Sequence, residues 1–105
     1  MEAIEIAVRR VYRLINEGRW EDVWLSYTPE FRERCPYGAF FSDHAPSFDG
    51  LVSDVIGFEV RTLDGLSASA VFDVRRVAGD GSVVEYAYIL RLVKDRGEWL
   101  WDEGC

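Results

Sequence analysis

The chain contains few of the residues from which metal sites and nucleophilic centres are built. It has one histidine and two cysteines among its 105 residues. Cys35 and Cys105 form no metal-ligand spacing, and no Ser-His-Asp set or phosphate-binding glycine-rich loop is present. We therefore expect no metal and no cofactor. We interpret both cysteines as reduced thiols, which favours a cytoplasmic location.

Basic charge and long apolar runs are also scarce. Twelve basic residues against nineteen acidic ones give a net charge of −7, which argues against nucleic acid and anionic membranes as partners. No apolar run approaches the roughly 20 residues of a membrane span. The first residues have neither the basic region nor the apolar region of a signal peptide. The chain is rich instead in hydrophobic residues (49%) and aromatic residues (14%), so we expect one folded domain over residues 1–105.

The first third of the chain predicts three helices. Ile4, Val8, Val11 and Ile15 follow the spacing of one helical face and predict a helix over 2–17. Gly18 is typical of the residue that ends a helix. A second helix is predicted over 19–27. Thr28 is a suitable N-cap for a short third helix over 29–34, with a proline at its first position.

Residues 35–50 are the least regular part of the sequence. Pro36, Gly38 and Pro46 disfavour one long helix, although a turn or two is expected around 37–43. The segment is aromatic, which is typical of a connector that closes the open end of a core; a lid over a ligand is the alternative. It also contains His44, the best general acid or base available if the segment folds over a pocket.

Three turn signals divide the second half of the chain. Asp64-Gly65, Asp80-Gly81 and Asp95-Arg96-Gly97 lie between runs of β-branched and aromatic residues. They predict an antiparallel meander with strands near 51–63, 66–78, 82–94 and 98–103. We expect an α+β fold in which three N-terminal helices pack on the concave face of a curved four-stranded sheet.

The order of these motifs resembles the nuclear transport factor 2-like superfamily over essentially the whole chain. The motifs are Gly-Arg-Trp-Glu-Asp-Val-Trp, Tyr-Thr-Pro-Glu-Phe-Arg and the closing Asp-Arg-Gly-Glu-Trp-Leu-Trp. The resemblance implies the cystatin-like, cone-shaped fold that ketosteroid isomerase and polyketide cyclases also use. It also implies dimerisation through the outer face of the sheet. Because the superfamily includes isomerases, dehydratases, cyclases, transport adaptors and small binding domains, it implies no single activity.

Loops of two, two and three residues at the turn signals predict the pairing of the strands, provided that no β-bulge intervenes. This register places a polar cluster on the concave face, where carboxylates and phenols could bind or move a proton. Asp73 and Tyr88 are its candidate catalytic residues, together with His44. The candidate ligand contacts are Asp54, Arg75, Tyr86, Tyr27 and Tyr37. The alternative is that these polar pairs are structural.

The same register places an amphipathic surface on the outer face of the sheet. Its candidate interface residues are Glu59, Arg91, Trp99 and Trp101. Arginine and tryptophan are enriched at interface hot spots, and this face is too apolar for water, so we expect a homodimer. Coverage of the patch by the C-terminal tail or by long arginine side chains is the alternative.

Three functions fit these observations. The first is a non-enzymatic homodimer that can hold a small hydrophobic or aromatic ligand in its cone. The second is an isomerase, dehydratase or cyclase that acts by general acid–base chemistry, which requires an open cavity reaching Asp73. The third is an accessory domain that binds a partner protein through the outer face.

Overall fold

The helices begin and end close to the predicted positions. The computed structural model describes residues 2–105. Its helices are α1 (Glu2–Asn16), α2 (Trp20–Leu25), α3 (Pro29–Arg34) and α4 (Tyr37–His44), followed by a short 3-10 helix (Ala45–Phe48). The turn or two expected around 37–43 is thus a complete two-turn helix, and Pro36 and Pro46 lie just outside it.

Local signals account for these boundaries. Gly18 adopts a φ of 72°, and the N–H groups of Gly18 and Arg19 donate to the carbonyls of Ile15 and Leu14 at 3.0 Å each. This is a Schellman ending, which requires the left-handed conformation that glycine adopts without strain. The Thr28 hydroxyl accepts from the N–H of Phe31 at 3.2 Å and caps α3, as predicted.

The second half forms the predicted meander. The strands are β1 (Leu51–Leu63), β2 (Ser67–Ala78), β3 (Val83–Asp95) and β4 (Glu98–Asp102). They pair in the order β1-β2-β3-β4, and every pairing is antiparallel. Together with the helices, this confirms the α+β architecture of N-terminal helices on a curved four-stranded sheet.

The predicted register of the strands is wrong by two residues at the first turn, where Leu63 pairs with Ala68, and by one residue at each of the other two turns. Between β2 and β3 the loop has three residues, because Gly79 joins the Asp80-Gly81 turn and the N–H of Ala78 donates to the carbonyl of Ser82 at 2.9 Å. Between β3 and β4 the loop has two residues, since Asp95 pairs with Glu98. Arg96 and Gly97 both adopt positive φ there, of 52° and 83°, as a tight hairpin turn requires.

Two bulges further alter the pairing of β1 with β2. They lie between Val55 and Gly57 and between Val60 and Thr62. At the first bulge, a Cβ on Gly57 would lie 3.3 Å from Oδ2 of Asp73. The absence of a side chain at Gly57 therefore lets the two strands approach closely beside the bulge.

These shifts exchange the two faces of β2 and β4 relative to the prediction. Phe72 and Val74 of β2 and Trp101 of β4 are buried on the inner face, toward the helices. The same shift brings Ala68, Ala70 and Trp99 inward and puts Val71, Val77 and Leu100 on the outer face. In β1, Val55 is buried and Ile56 is exposed, the reverse of the prediction. A one-residue slip has this effect because side chains alternate along a strand.

The core lies between the inner face and the helices. It contains Val8 and Val11 of α1 with Phe72, Leu90 and Trp101 of the sheet. The link between α2 and α3 is tied to β4 by two backbone bonds: the Trp101 N–H donates to Ser26, and the Thr28 N–H donates to Trp101, each at 2.9 Å. These bonds hold Tyr27 beside Trp101.

Cys35 and Cys105 form a disulfide, with their Cα atoms 5.9 Å apart. The prediction of two reduced thiols is therefore wrong, and the reason for a cytoplasmic location that rested on it no longer holds. Seventy positions separate the two residues in sequence, so spacing gave no sign of the pairing. The bond fixes the C-terminal residues to the end of α3.

Among the helices described, none combines the length and the apolar character needed to cross a membrane.

Candidate functional site

A cavity of about 280 Å³ opens between the inner face, α4 and the 3-10 helix. We call it the cone cavity. Its apolar walls include Ile15, Trp20, Phe40 and Phe48. Its polar lining consists of Tyr12, Tyr27, Asp43, His44, Ser47, Arg76, Tyr86, Tyr88 and Glu103. The volume suits a small molecule rather than a drug-sized one.

One end of the cone cavity is built around the carboxylate of Glu103. The Tyr88 hydroxyl donates to Oε1 of Glu103, and the Tyr27 hydroxyl donates to Oε2 at 3.1 Å. Tyr88 comes from β3, Tyr27 from the link between α2 and α3, and Glu103 follows β4. This arrangement holds a carboxylate inside an aromatic cavity because both of its oxygens accept a phenol proton.

Burial raises the pKa values of three phenols of the cavity. For Tyr12, burial is followed in importance by the neighbouring Tyr86. For Tyr27 and Tyr88, the second cause is Glu103, through its charge at Tyr27 and through its hydrogen bond at Tyr88. The three side chains therefore stay protonated, and keep an O–H that can donate a hydrogen bond, to a higher pH than an exposed tyrosine does.

The other end of the cone cavity contains Arg76. Its guanidinium lies over the ring of Phe48 at 4.1 Å and over the ring of Tyr86 at 4.7 Å. Nη2 of Arg76 also donates to the Tyr86 hydroxyl at 2.9 Å. Two aromatic faces and one hydroxyl thus fix the position of the cation.

His44 lies at the wall formed by α4. Its ring stacks on Phe40 with centroids 4.4 Å apart. Its Nδ1 lies 3.0 Å from the Phe40 carbonyl, and because a carbonyl only accepts, Nδ1 carries the proton. This leaves Nε2 as the nitrogen that can meet a ligand.

The predicted site residues divide between the two faces. Tyr27, His44, Tyr86 and Tyr88 line the cone cavity. Asp73 does not reach it, because Asp73 is exposed and pairs with Gly57 and Ala87 on the outer face. The expected cluster of Asp73 with Tyr88 is therefore wrong.

Asp54 and Arg75 also lie on the outer face. They pair with each other as predicted, but the carboxylate partner of Arg75 is Glu85, at 2.8 Å. Tyr37 lies outside the cavity lining and packs its ring against Trp24 and Phe41. None of the three can contact a molecule held in the cone cavity.

The predicted interface residues divide in the same way. Glu59 and Arg91 are exposed on the outer face, where Glu59 pairs with Arg61 at 3.2 Å and Arg91 with Asp102 at 3.1 Å. Trp101 is only 3% exposed, and Trp99 is half-buried on the inner face. The placement of both tryptophans on the outer surface is therefore wrong.

Sequence reasoning missed Tyr12, Arg76 and Glu103. Tyr12 lies on the buried face of α1, where its ring packs on Phe72 with centroids 6.0 Å apart. Arg76 would have been found with the correct register, since it then shares the inner face with Phe72. Glu103 lies in the predicted fourth strand on the same face as Trp101, so the correct register would have placed it inward as well, although the observed strand ends at Asp102.

No protein-family model matches the sequence, and no curated protein matches it. Solved structures do match. A nuclear transport factor 2-like protein of unknown function from Shewanella oneidensis has a TM-score of 0.71 at 12% identity, covering 97% of this chain and 98% of that one. A Xanthomonas campestris protein assigned as a calcium/calmodulin-dependent protein kinase II association domain has a TM-score of 0.69 at 19% identity, covering 94% and 81%.

A third structure with similar architecture is a Novosphingobium aromaticivorans protein that is assigned as the β subunit of an aromatic-ring-hydroxylating dioxygenase. Its TM-score is 0.62 at 14% identity, covering 99% of this chain and 90% of that one. At such identities the likeness concerns architecture and not activity. It agrees with the order of helices, strands and turns described above and confirms the resemblance found in the sequence. The chain therefore has the nuclear transport factor 2-like fold.

Proposed function

We propose that this chain is a binding domain that holds a small planar aromatic molecule in the cone cavity without transforming it. The observation that supports this most directly is the lining of the cavity. Rings of Trp20, Phe40, Phe48 and Tyr88 surround a volume of about 280 Å³, and hydrogen-bonding groups lie at both ends. Flat apolar walls with a few polar groups are typical of sites for small aromatic ligands.

Binding without turnover is favoured because the Glu103 carboxylate at one end of the cavity is already engaged in hydrogen bonds. Both oxygens of Glu103 accept phenol protons, and Nδ1 of His44 donates to Phe40. The enzymatic alternative required a cavity that reaches Asp73, and Asp73 lies on the outer face. General acid–base chemistry by Glu103 would therefore have to disrupt the hydrogen bonds that hold this carboxylate in place.

Blocking the cavity tests the proposal. Ser47 lines the cone cavity and is exposed, so Ser47→Trp should place an indole over the ligand site with little cost to the fold. The matched control is Ser42→Trp, at an exposed position of α4 outside the cavity lining. Binding of cinnamamide would be measured by NMR titration of the indole N–H signals.

We expect the wild type and Ser42→Trp to bind the probe and Ser47→Trp to lose binding. Mass spectrometry of the recovered probe should show the unchanged compound. Binding that Ser47→Trp leaves unaltered would contradict the cavity as the site. A chemically altered probe would contradict binding without turnover.

We further propose that the chain forms a homodimer through the outer face of the sheet. Ile89 stands at its centre with 76% of its surface exposed, next to Val71 in the same row. Charged pairs such as Arg75–Glu85 and Arg91–Asp102 flank this row. An exposed apolar centre with a charged rim is typical of an interface, and the Xanthomonas campestris protein is assigned as an association domain.

Sedimentation equilibrium separates this proposal from a monomer. Ile89→Glu should convert a dimer into a monomer, because it would bury a carboxylate at the centre of the interface. Ile6→Glu is the matched control, since Ile6 is also exposed, at 58%, but belongs to α1 and not to the outer face of the sheet. A wild-type chain that is monomeric at high concentration would rule the dimer out.

A further inference from the structure

Arg76 differs from its neighbour on β2 in having no carboxylate partner. Arg75 forms an ion pair with Glu85 at 2.8 Å on the outer face. The ion pairs found within residues 2–105 do not include Arg76. Arg76 is nevertheless half-buried and lines the cone cavity. Partly buried guanidinium groups normally have an anionic partner, because the cation loses hydration.

The hydrogen-bonding capacity of Arg76 is also incompletely used. Its Nε is buried without a partner, although Nη2 donates to Tyr86. A second lining residue, Trp101, which is only 3% exposed, likewise has a buried indole N–H without a partner. Each of the two residues therefore has a buried donor without a partner, and Arg76 also has a positive charge without a carboxylate at ion-pair distance, which favours a ligand with a negatively charged acceptor group.

We propose that the ligand of the cone cavity is a planar aromatic monocarboxylate whose carboxylate binds Arg76. This inference rests on the proposed binding function and specifies its ligand class. Nη2 of Arg76 donates to Tyr86 and its Nε is buried, so the N–H groups of Nη1 and the second N–H of Nη2 are the donors left for the oxygens of a carboxylate. The aromatic part of the ligand then lies against Trp20 and Phe40.

The charge of the cavity selects a monoanion. Arg76 is the one arginine or lysine of the lining, while Glu103 and Asp43 contribute acidic groups. Glu103 and Asp43 repel any anion, so a ligand with one negative charge binds Arg76 against less repulsion than a phosphate dianion. Arg76 is held at Tyr86 and Glu103 at Tyr88, two residues further along β3. A small ligand can therefore bind the cation while its ring fills the space toward Glu103.

A pair of matched probes tests this inference. Cinnamate and cinnamamide have the same shape and differ in charge, and their binding would be measured by NMR titration at neutral pH. We expect the wild type to bind cinnamate about tenfold more tightly than cinnamamide, the gain typical of a charged hydrogen-bonded pair. Arg76→Gln should abolish this preference.

Two further variants complete the test. Arg75→Gln is the matched control, because it removes an arginine from the next position of β2 on the outer face, and it should keep the preference for cinnamate. Arg76→Lys keeps the charge without the planar fork and should retain only part of the preference. It replaces Arg76→Gln if circular dichroism shows that the latter does not fold.

Each outcome has a distinct meaning. Equal affinity for the two probes, or a preference that persists in Arg76→Gln, would overturn the carboxylate inference and leave the aromatic binding site standing. Failure of both probes to bind the wild type would overturn the proposed function together with this inference.

Discussion

The phenols of the cone cavity resist ionisation because of where they lie. Burial is the largest cause of the raised pKa values of Tyr12, Tyr27 and Tyr88. In the unfolded chain a tyrosine titrates near pH ~10. Since the folded pKa values lie above this, the stability linked to the three phenols is fully present below pH ~10 and is lost as the pH rises toward the folded values.

A spectrophotometric titration of tyrosinate checks this directly. Of the five tyrosines, three should remain protonated in the folded protein at pH values where all five ionise in urea. Tyr12→Phe, Tyr27→Phe and Tyr88→Phe should each remove one of the late-titrating groups. If all five tyrosines ionise together near pH ~10 in the folded protein, the burial of these three phenols is contradicted.

The positions of Trp101 and Ile89 give a second test at the scale of single residues. Trp101 is buried at the contact of β4 with Tyr12 and Tyr27, so Trp101→Ala should lower the free energy of unfolding by about 3–5 kcal/mol. Ile89 is 76% exposed on the outer face, and Ile89→Ala should cost about 0.5 kcal/mol or less. Urea denaturation at low protein concentration measures both. An equal decrease in the free energy of unfolding for the two variants would contradict the burial of Trp101.

At the scale of helices and strands, the sequence predicted what local chemistry determines. The end of α1 at Gly18 and the cap of α3 at Thr28 each depend on residues within one helical turn. The strand bounds depend on the turn signals that separate the apolar runs. These features could be predicted because their causes are adjacent in sequence.

The register could not be predicted in the same way, because one residue of loop length decides it. Gly79 enlarges the second turn, and Arg96 adopts the positive φ that glycine usually supplies. At neither turn does the type of the residue show whether it belongs to the loop or to the strand. The slip moved Arg76 into the cavity and Asp73 out of it, so the candidate site was only half correct even though every strand was found.

Two glycines test the difference between turn and helix positions. Gly81 adopts a φ of 86° in the turn before β3, and Gly81→Ala should destabilise the fold by about 1–2 kcal/mol because alanine is strained there. Gly38 lies in α4 and has open space around it. Gly38→Ala should stabilise by about 0.5–1 kcal/mol. Thermal unfolding measures both, and shifts in the same direction would contradict the assigned conformations.

At the scale of the whole molecule, the cone cavity depends on residues from both ends of the chain. Glu103 lies between two anchors: the core contact of Trp101 and the disulfide between Cys35 and Cys105. Nη2 of Arg34 also donates to the Glu103 carbonyl at 3.2 Å. The end of α3 thus positions the segment that supplies the carboxylate of the cavity. The disulfide, which we call the tether, therefore links the stability of the fold to the geometry of the ligand site.

Removing the tether should therefore destabilise the entire fold. Cys105→Ser opens a loop whose ends are 70 positions apart in sequence, and the added freedom of the unfolded chain should lower the free energy of unfolding by about 2–4 kcal/mol. Cys35→Ser should have the same effect, and the double variant should lose no more than either single one. Urea denaturation measures the free energy of unfolding, and a count of reactive thiols in the unfolded, unreduced protein shows whether the disulfide is present.

The reduced wild type is the internal control for this prediction. It should unfold at the same urea concentration as Cys105→Ser, because both lack the tether and differ in one atom. Without reductant, the unfolded wild type should expose no reactive thiol, since its two cysteines are joined. Two reactive thiols in that sample would show that the bond is absent. Equal stability of the oxidised and the reduced protein would contradict the stabilising effect of the disulfide.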